Sequence, residues 1–514
     1  MEKMAKSNDI TKIINSFYGG IVRDDKSNVM GACSNIEEVD IFSNKDWVQA
    51  EQIMTSDTLP TGTEIYAYCN DDSDYLWFYG KETVAGKVRL GYNTTGGADN
   101  PGSFATAFTS ADATNLATLI SPICYHKTSE SNTNYVYYIA GASVTWYLKR
   151  YDITAGTESS VGQLTGLNGS FDRPVMKRFY GNLYILHGQF VAKVDDTGTF
   201  TEKAFTLPKS QKSVDIIPVS DVSIILTRNV NKYVNETVGY WWDLSSANTF
   251  DDRFVINMGG GQWISNWREK IIVFCAANGI GRFYQLASPN AGAQVIELPG
   301  GRLLTNIGVE TSTQPISSPK MLSQKDGILY FGVLKTDKTG IYALGQLDFN
   351  SPVALILSKR FATSDYSLHK PTALLVHASN YYGAFNDGTN NLISRCAGNN
   401  SPARSSNAII ETLIEDFGTP IQKKELSRAY LIAYPLTTST SLDLYVAPDF
   451  GSYTQIKRAD NSVFNTLNGL LGLFRPTAFN NKYVYKAKVA FTSNGVNSPK
   501  LRGIGLRAVI KETE

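Results

Sequence analysis

The 514-residue sequence has few of the groups from which catalytic and metal sites are built, with only four histidines and five cysteines. The histidines are His126, His187, His369 and His377, and none of them forms an HExxH pair. The cysteines, Cys33, Cys69, Cys124, Cys275 and Cys396, lie far apart without a CxxC pair. We therefore predict free, buried or half-buried thiols and no zinc or disulfide framework.

Sequence motifs for nucleophilic catalysis and phosphate binding are also missing. There is no GxSxG elbow and no GxxxxGK[ST] loop. The glycine cluster MGGGQW, residues 258–263, lacks the spacing of a dinucleotide fingerprint and is interpreted as a tight turn between β-units. The sequence thus predicts a protein that is not an enzyme, with no catalytic, cofactor-binding or metal residues and no cofactor.

An excess of charge of one sign is lacking as well, because 48 Lys and Arg residues balance 47 Asp and Glu residues, for a formal net charge of +1. No bulk electrostatic attraction to nucleic acid or to an anionic membrane is expected. The N-terminus has no apolar signal-peptide region, and no apolar stretch approaches the ~18 residues that span a bilayer. We expect synthesis in a cytoplasm and no membrane insertion.

What the sequence does contain is a recurring pair of short apolar and aromatic runs bounded by turn residues, which is strand and hairpin chemistry. Seven such pairs follow one another, at a spacing near the ~40–50 residues of propeller blades. The pairs are 71–80 with 88–95, 131–140 with 145–153, 180–186 with 190–196, 220–227 with 240–245, 268–274 with 281–287, 325–332 with 340–347, and 378–385 with 391–398.

The fold predicted from this pattern is all-β: a β-propeller of about seven blades, a C-terminal β-sandwich and an extended N-terminal arm. Residues 1–55 form the arm and first strand, 56–407 the propeller and 408–514 the sandwich. The run KYVYKAKVAF, residues 482–491, alternates with period two, as expected of a strand with one wet face. An N-terminal strand such as VDIFSN, residues 39–44, is a candidate to complete the last blade.

Paired carboxylates keep a glycan-active alternative open, because propeller glycosidases need two acids. The candidates are Asp71, Asp72 and Asp74, then Asp195 and Asp196, Asp251 and Asp252, and Asp387. No copy of the S-x-D-x-G-x-T-W box accompanies them, so we interpret them as solvated turn residues. The single Trp242–Asp243 pair does not recur as WD repeats would, and most of the seven tryptophans are expected to pack between blades.

Both ends of the chain resemble virion proteins of tailed bacteriophages. The similar segments are FYGGIVRDDKSNVMGACSNIEEVDIFSN (17–44), EDFGTPIQKKELSRAYLIAYPL (415–436) and SPKLRGIGLRAVIKE (498–512). The resemblance implies a structural tail component, in the hub, nozzle or baseplate. Such a protein forms a symmetric homo-oligomer, binds other tail proteins and carries a host-facing surface for a cell-surface glycan or protein. It also implies a virion localisation, with assembly in the host cytoplasm. The alternatives are a depolymerase or sialidase-like enzyme, or a lectin-like receptor-binding protein.

Overall fold

A computed structural model of the chain describes most of its residues. The described ranges are 9–22, 32–51, 55–56, 62–73, 75–82, 86–93, 104–113, 122–129, 133–142, 145–167, 173–231, 234–245, 247–287, 294–298, 303–311, 315–348, 350–359, 370–377, 380–386, 391–396, 404–460 and 479–510. Within these ranges the chain is built mainly from strands, and a short 3₁₀ turn spans Pro319–Met321. No helix in them is both long and apolar enough to cross a membrane.

The N-terminal segment contributes six short strands that serve different parts of the molecule. They are β1 (Asp9–Ile14), β2 (Gly20–Ile21), β3 (Ala32–Glu37), β4 (Val39–Asp40), β5 (Gln49–Ala50) and β6 (Thr55–Ser56).

Seven sheets follow as consecutive blades of a β-propeller, which confirms the predicted fold class. Blade 1 contains β7 (Thr63–Asn70), β8 (Leu76–Glu82), β9 (Lys87–Asn93) and β10 (Phe104–Ala113); blade 2 contains β11 (Ile123–Lys127), β12 (Asn134–Ala142), β13 (Thr145–Asp152) and β14 (Thr157–Gln163); and blade 3 contains β15 (Val175–Phe179), β16 (Asn182–His187), β17 (Phe190–Val194) and β18 (Phe200–Thr206). Blade 4 contains β19 (Gln211–Val219), β20 (Val222–Asn229), β21 (Thr237–Trp242) and β22 (Asp252–Ile256), and blade 5 contains β23 (Gly261–Trp267), β24 (Lys270–Ala277), β25 (Ile280–Leu286), β26 (Val295–Glu297) and β27 (Leu303–Thr305). Blade 6 contains β28 (Leu322–Lys325), β29 (Ile328–Val333), β30 (Gly340–Gly345) and β31 (Ala354–Lys359), and blade 7 contains β32 (Lys370–His377), β33 (Asn380–Asn386) and β34 (Asn391–Cys396).

Each blade is an antiparallel meander whose first strand lies nearest the ring axis. Neighbouring first strands contact one another around much of the ring, and β32 of the last blade contacts β7 of the first. The two runs predicted for each blade correspond to its second and third strands, such as β8 with β9 and β29 with β30. These middle strands are buried on both faces, which is why their sequences are the most apolar in each unit.

The ring is closed by an N-terminal strand, but not by the one that the sequence suggested. Thr55–Ser56 (β6) pairs with Ser394 and Arg395 at the outer edge of blade 7. The predicted candidate, residues 39–44, is wrong: Val39–Asp40 instead pairs with Gln49–Ala50. The physical reason is burial, because Val39 and Ile41 belong to the apolar core that the N-terminal segment shares with the C-terminal strands.

The C-terminal region forms a sandwich of two sheets, and the N-terminal segment supplies strands to both. Its strands are β35 (Ala408–Thr412), β36 (Lys424–Ala433), β37 (Ser441–Pro448), β38 (Thr454–Asp460), β39 (Tyr485–Thr492) and β40 (Leu501–Ile510). One sheet has the order β1-β40-β36. The other runs β31-β3-β35-β39-β37-β38, so that β3 joins the outer strand of blade 6 to the sandwich.

Candidate functional site

One candidate site lies on the propeller axis. A cavity of about 190 Å³ is lined by residues from all seven blades, including Tyr68, Ile123, Met176, Val214, Gln262, Ser318 and Leu374. Several of these residues stand at the beginning of their first strands, so the cavity lies toward the end of the axis where those strands start. A central cavity with a few polar groups among apolar ones is the usual form of a small-ligand site.

A basic cluster occupies one side of this cavity. Arg173 Nη2 and Arg228 Nη1 each lie 2.8 Å from Glu310 Oε1, and Arg173 also donates to the carbonyl of Thr311 at 3.1 Å. Burial alone would raise the pKa of Glu310, but Arg228 and Arg173 hold it below its usual value. Burial lowers the pKa of Arg173 to about 10, although Glu310 opposes the shift.

Two further side chains extend the cluster from the short 3₁₀ turn and its approach. Lys320 lines the cavity, and desolvation followed by repulsion from Arg173 lowers its pKa to about 7. Ser318 is 7% exposed, and its hydroxyl has no hydrogen-bond partner among the described residues. The same is true of Arg173 Nε within that part of the chain. Two buried donors therefore point to the same cavity unused, which native proteins seldom tolerate.

A second ion pair lies on the adjoining side of the cavity. Lys177 Nζ is 2.6 Å from Asp215 Oδ1, and the fully buried Asp215 carboxylate also accepts the amides of Ile216 at 2.8 Å and Ile264 at 3.0 Å. Burial raises the pKa of Asp215 despite these partners. The carboxylate follows a bulge in β19, which directs it toward β15 and β23. It links blades 3, 4 and 5 and is accordingly a structural contact.

The acids that the sequence offered as glycosidase candidates lie elsewhere, and none that the structure describes lines the cavity. Asp71 accepts the amides of Ser73 and Tyr75 and the indole N–H of Trp77. Asp195 accepts the amides of Thr197 and Thr199 in the same manner.

The remaining acid candidates make other contacts or stand exposed. Asp72 accepts from Tyr125 at 3.1 Å, and Asp252 accepts the amide of Arg253 at the start of β22. Asp196 and Asp251 are exposed. Asp74 and Asp387 lie outside the described residues. Among the described candidates, Asp71 and Asp195 hold turns, as their surroundings in the sequence suggest.

The histidines and cysteines divide between core positions and parts of the chain that the structure does not describe. His126 and His187 are fully buried, and desolvation lowers the pKa of each. His187 accepts from the amide of Gly166 and donates to the carbonyl of Glu202. Cys33, Cys69 and Cys275 are buried free thiols and Cys124 is a half-buried one, as predicted. His369 and the side chains of His377 and Cys396 are outside the described set.

The glycine cluster forms a turn between two blades, and most of the tryptophans are buried in the blades. Gly260, with φ of +73°, lies in the turn between β22 and β23, which confirms the predicted turn between units. A Cβ there would lie 2.2 Å from the carbonyl oxygen of Ala276. Five of the tryptophans are at most 3% exposed: Trp77, Trp241, Trp242, Trp263 and Trp267.

A second candidate site is an exposed apolar surface at one end of the sandwich. Ile421 is 85% exposed, Phe450 80% and Tyr483 41%, and we call these three side chains the hairpin patch. They lie on neighbouring turns, because the amide of Tyr483 bonds to Asp449 Oδ1 at 2.7 Å and Lys423 lies over the Tyr483 ring. Exposed apolar groups that cluster in this way are characteristic of interaction surfaces.

Phe450 also has an unfavourable backbone conformation. The turn from Pro448 to Gly451 is closed by a 2.7 Å amide-to-carbonyl bond, and its two central residues, Asp449 and Phe450, have φ of +45° and +64°. Such turns favour Gly or Asn at these positions. A bulky aromatic residue in the left-handed region carries a conformational cost of about 1–2 kcal/mol. The exposed ring and this backbone cost make Phe450 a candidate contact residue.

Neither set of residues could have been located from the sequence. Arg173, Arg228 and Glu310 come from three different parts of the chain and meet only when the ring closes. The hairpin patch joins turns near residues 421, 450 and 483 with no recurring pattern. The one local signal is the PDFG segment, residues 448–451, whose composition predicts a turn with an unusual central Phe.

The fold defines the class of this protein as a β-propeller joined to a β-sandwich. No family model matches the sequence, and no curated protein matches it either. Among solved structures, similar chains are Raptor from Chaetomium thermophilum (7% identity over 68% of this chain and 30% of that one, TM-score 0.43) and the β-propeller domain of the Trilobed protease from Pyrococcus furiosus (8% identity, 68% and 95%, TM-score 0.38).

A third similar structure is the extracellular domain of a hybrid two component system from B. thetaiotaomicron, with 14% identity over 76% of this chain and 44% of that chain, at a TM-score of 0.40. The present chain thus spans less than half of two of these three structures. At these identities and TM-scores, the likenesses do not bear on what this chain binds or does.

Proposed function

We propose that this protein is a structural component of a tailed-phage virion, a subunit of the tail hub, nozzle or baseplate. Copies of the chain form a symmetric homo-oligomer, which binds other tail proteins. The assembly presents a host-facing surface for a cell-surface glycan or protein. It acts by binding rather than by catalysis. The proposal extends the resemblance of residues 17–44, 415–436 and 498–512 to virion proteins.

The observation that supports this proposal best is the hairpin patch. Ile421 and Phe450 leave most of their apolar surface in water, and the Phe450 backbone bears a steric cost that glycine would not have. A partner that buries these side chains would regain roughly 1.5–3 kcal/mol for each large apolar side chain. In this proposal the patch is the centre of a protein–protein interface, where exposed aromatics serve as anchors.

The proposal requires a rigid mounting for the patch, which the N-terminal segment supplies. β1 pairs along its whole length with β40, and β3 lies between β31 and β35. Lys338 of blade 6 forms an ion pair with Glu37 at the end of β3, and Ser358 of β31 donates to Glu51 at 2.7 Å. A force or a contact at the sandwich is therefore passed to the ring through hydrogen-bonded strands.

The experiment that tests the docking role compares Phe450→Gly with Ser439→Gly. Ser439 is exposed, has φ of +60° and lies beyond the opposite end of β37, so its replacement relieves the same kind of backbone cost away from the patch. We expect Phe450→Gly to be folded and yet to be lost from oligomers and particles, whereas Ser439→Gly assembles normally. Equal assembly of the two variants, measured by sedimentation and by mass spectrometry of purified particles, would reject the role of the patch.

A further inference from the structure

We propose that the axial cavity binds a small organic carboxylate, whose carboxylate group contacts Arg173 and Ser318 and whose apolar part packs on the apolar side chains of the lining. This site is independent of the hairpin patch and of the virion role proposed above. The proposal stands on three features of the cavity: two unused buried donors, several cationic side chains in the lining, and apolar side chains around a volume of matching size.

The unused donors give the site its polar end. Arg173 Nε and Ser318 Oγ are buried, and neither has a hydrogen-bond partner among the described residues. Glu310 and Thr311 already accept from the Nη2 end of Arg173, so the Nε edge remains available for another acceptor. A carboxylate is the acceptor that a guanidinium edge and a hydroxyl bind best, because charge-assisted bonds are the strongest of their kind.

The charge around the cavity favours an anion over a neutral acceptor. Among the described residues, Arg173 and Arg228 share the Glu310 carboxylate, and Lys177 pairs with Asp215. Lys320 lines the same space. Charges interact more strongly inside a protein than at its surface, so a lining rich in cationic groups favours an anion.

The apolar part of the lining and the volume indicate which kind of anion fits. Apolar side chains complete the lining: Ile123, Val175, Met176, Val214, Leu322, Leu374 and Leu375. A cavity of about 150 Å³ lined by apolar side chains binds benzene. The volume of about 190 Å³ therefore suits a molecule of that size with one carboxylate added. Inorganic phosphate would place charged oxygens against the leucines, which costs more than it returns.

The test is calorimetric titration of the full chain with benzoate, isobutyrate and acetate, each as the sodium salt at constant ionic strength. Benzyl alcohol serves as the uncharged analogue of benzoate, and inorganic phosphate as an anion that has no apolar part. We expect saturable binding of benzoate, with benzyl alcohol and phosphate at least about tenfold weaker.

Variants connect the binding to the cavity. Ser318→Ala and Arg173→Met should each weaken benzoate binding by about tenfold or more, because each removes one charge-assisted bond. Arg282→Met is the matched control, since Arg282 pairs with Glu297 on the outer part of blade 5 and is 38% exposed. Circular dichroism and thermal melting of every variant separate a lost site from a lost fold.

Proton uptake provides a second measurement that a purely structural cluster would not change. Desolvation, followed by repulsion from Arg173, lowers the pKa of Lys320 to about 7. A bound carboxylate raises that pKa, so binding at pH 7.5 should take up protons, and affinity should fall as the pH rises from about 6 to about 8. Titrations in buffers of different ionisation enthalpy measure the uptake.

Three results would overturn the proposal. The first is the absence of saturable binding by all three carboxylates. The second is phosphate binding that equals or exceeds benzoate binding. The third is retention of benzoate affinity in Ser318→Ala and Arg173→Met.

Discussion

Four tryptophans of the propeller and Phe450 of the sandwich lie in opposite environments. In the propeller, Trp241, Trp242, Trp263 and Trp267 are at most 2% exposed and fill the space between neighbouring blades. In the sandwich, Phe450 is 80% exposed at the tip of a strained turn. The difference teaches that the ring spends these four tryptophans on contacts between blades, whereas the ring of Phe450 contributes little to the packing of the sandwich.

The largest expected effect comes from cutting the chain where the two regions meet. A chain of residues 1–407 keeps β1 and β3 but removes β40 and β35, their partners, and exposes buried Ile36 and Val39. A chain of residues 51–407 keeps β6 and blades 1–7 without those unpaired strands. We expect 51–407 to be folded and monomeric and 1–407 to aggregate, as measured by light scattering and circular dichroism.

Equal solubility of the two truncated chains would contradict this account of the N-terminal segment. A folded 51–407 chain that still enters particles at normal levels would, in addition, exclude the sandwich as the docking region.

The next effect tests the packing of the ring. Trp263 contacts Phe274, Phe283 and Phe331 with ring centroids 5.3 to 6.2 Å apart, at the boundary of blades 5 and 6. Trp263→Ala should lower the free energy of unfolding by about 3–5 kcal/mol. The control Tyr147→Ala, at a side chain that is 37% exposed, should change it by less than about 1 kcal/mol. Denaturant unfolding followed by tryptophan fluorescence measures both, and similar losses would argue against a ring held by its blade contacts.

A smaller effect appears at low pH. The pKa of Glu310 lies below its usual value, so its ion pairs stabilise the fold fully above the unfolded pKa of about 4.3 and lose their effect as the pH falls through the folded pKa. Glu310→Gln should cost about 2 kcal/mol near pH 7, and the difference from the parent chain should shrink below about pH 4. Thermal melting from pH 3 to 7 measures it, and a difference that stays constant across this range would contradict the pairing.

The smallest effect has the opposite sign. Phe450→Gly should raise the free energy of unfolding by up to about 1 kcal/mol, because glycine accepts the left-handed conformation that a Phe side chain resists. The exposed ring contributes little to the fold that could be lost. Destabilisation by this substitution would show that the ring packs within the chain, and the contrast between the two regions would then disappear.

The sequence was sufficient for the parts of the fold that local pattern controls. The middle strands of all seven blades could be located because they are apolar on both faces, whereas outer strands such as β14, with the sequence TESSVGQ, are polar enough to resemble loops. The closing strand was misplaced because β6 is only two residues long and pairs across more than 300 positions. The axial cluster was missed for a related reason, since ring closure alone brings Arg173 and Glu310 together.

Electron microscopy of the purified protein, and of virus particles purified from the same source, tests the proposed tail role most directly. The account predicts symmetric rings of this chain, and a defined place in the tail where the turn at residues 448–451 is buried against a neighbouring subunit. A stable monomer that is absent from the particles, or a tail density in which that turn faces solvent, would contradict it.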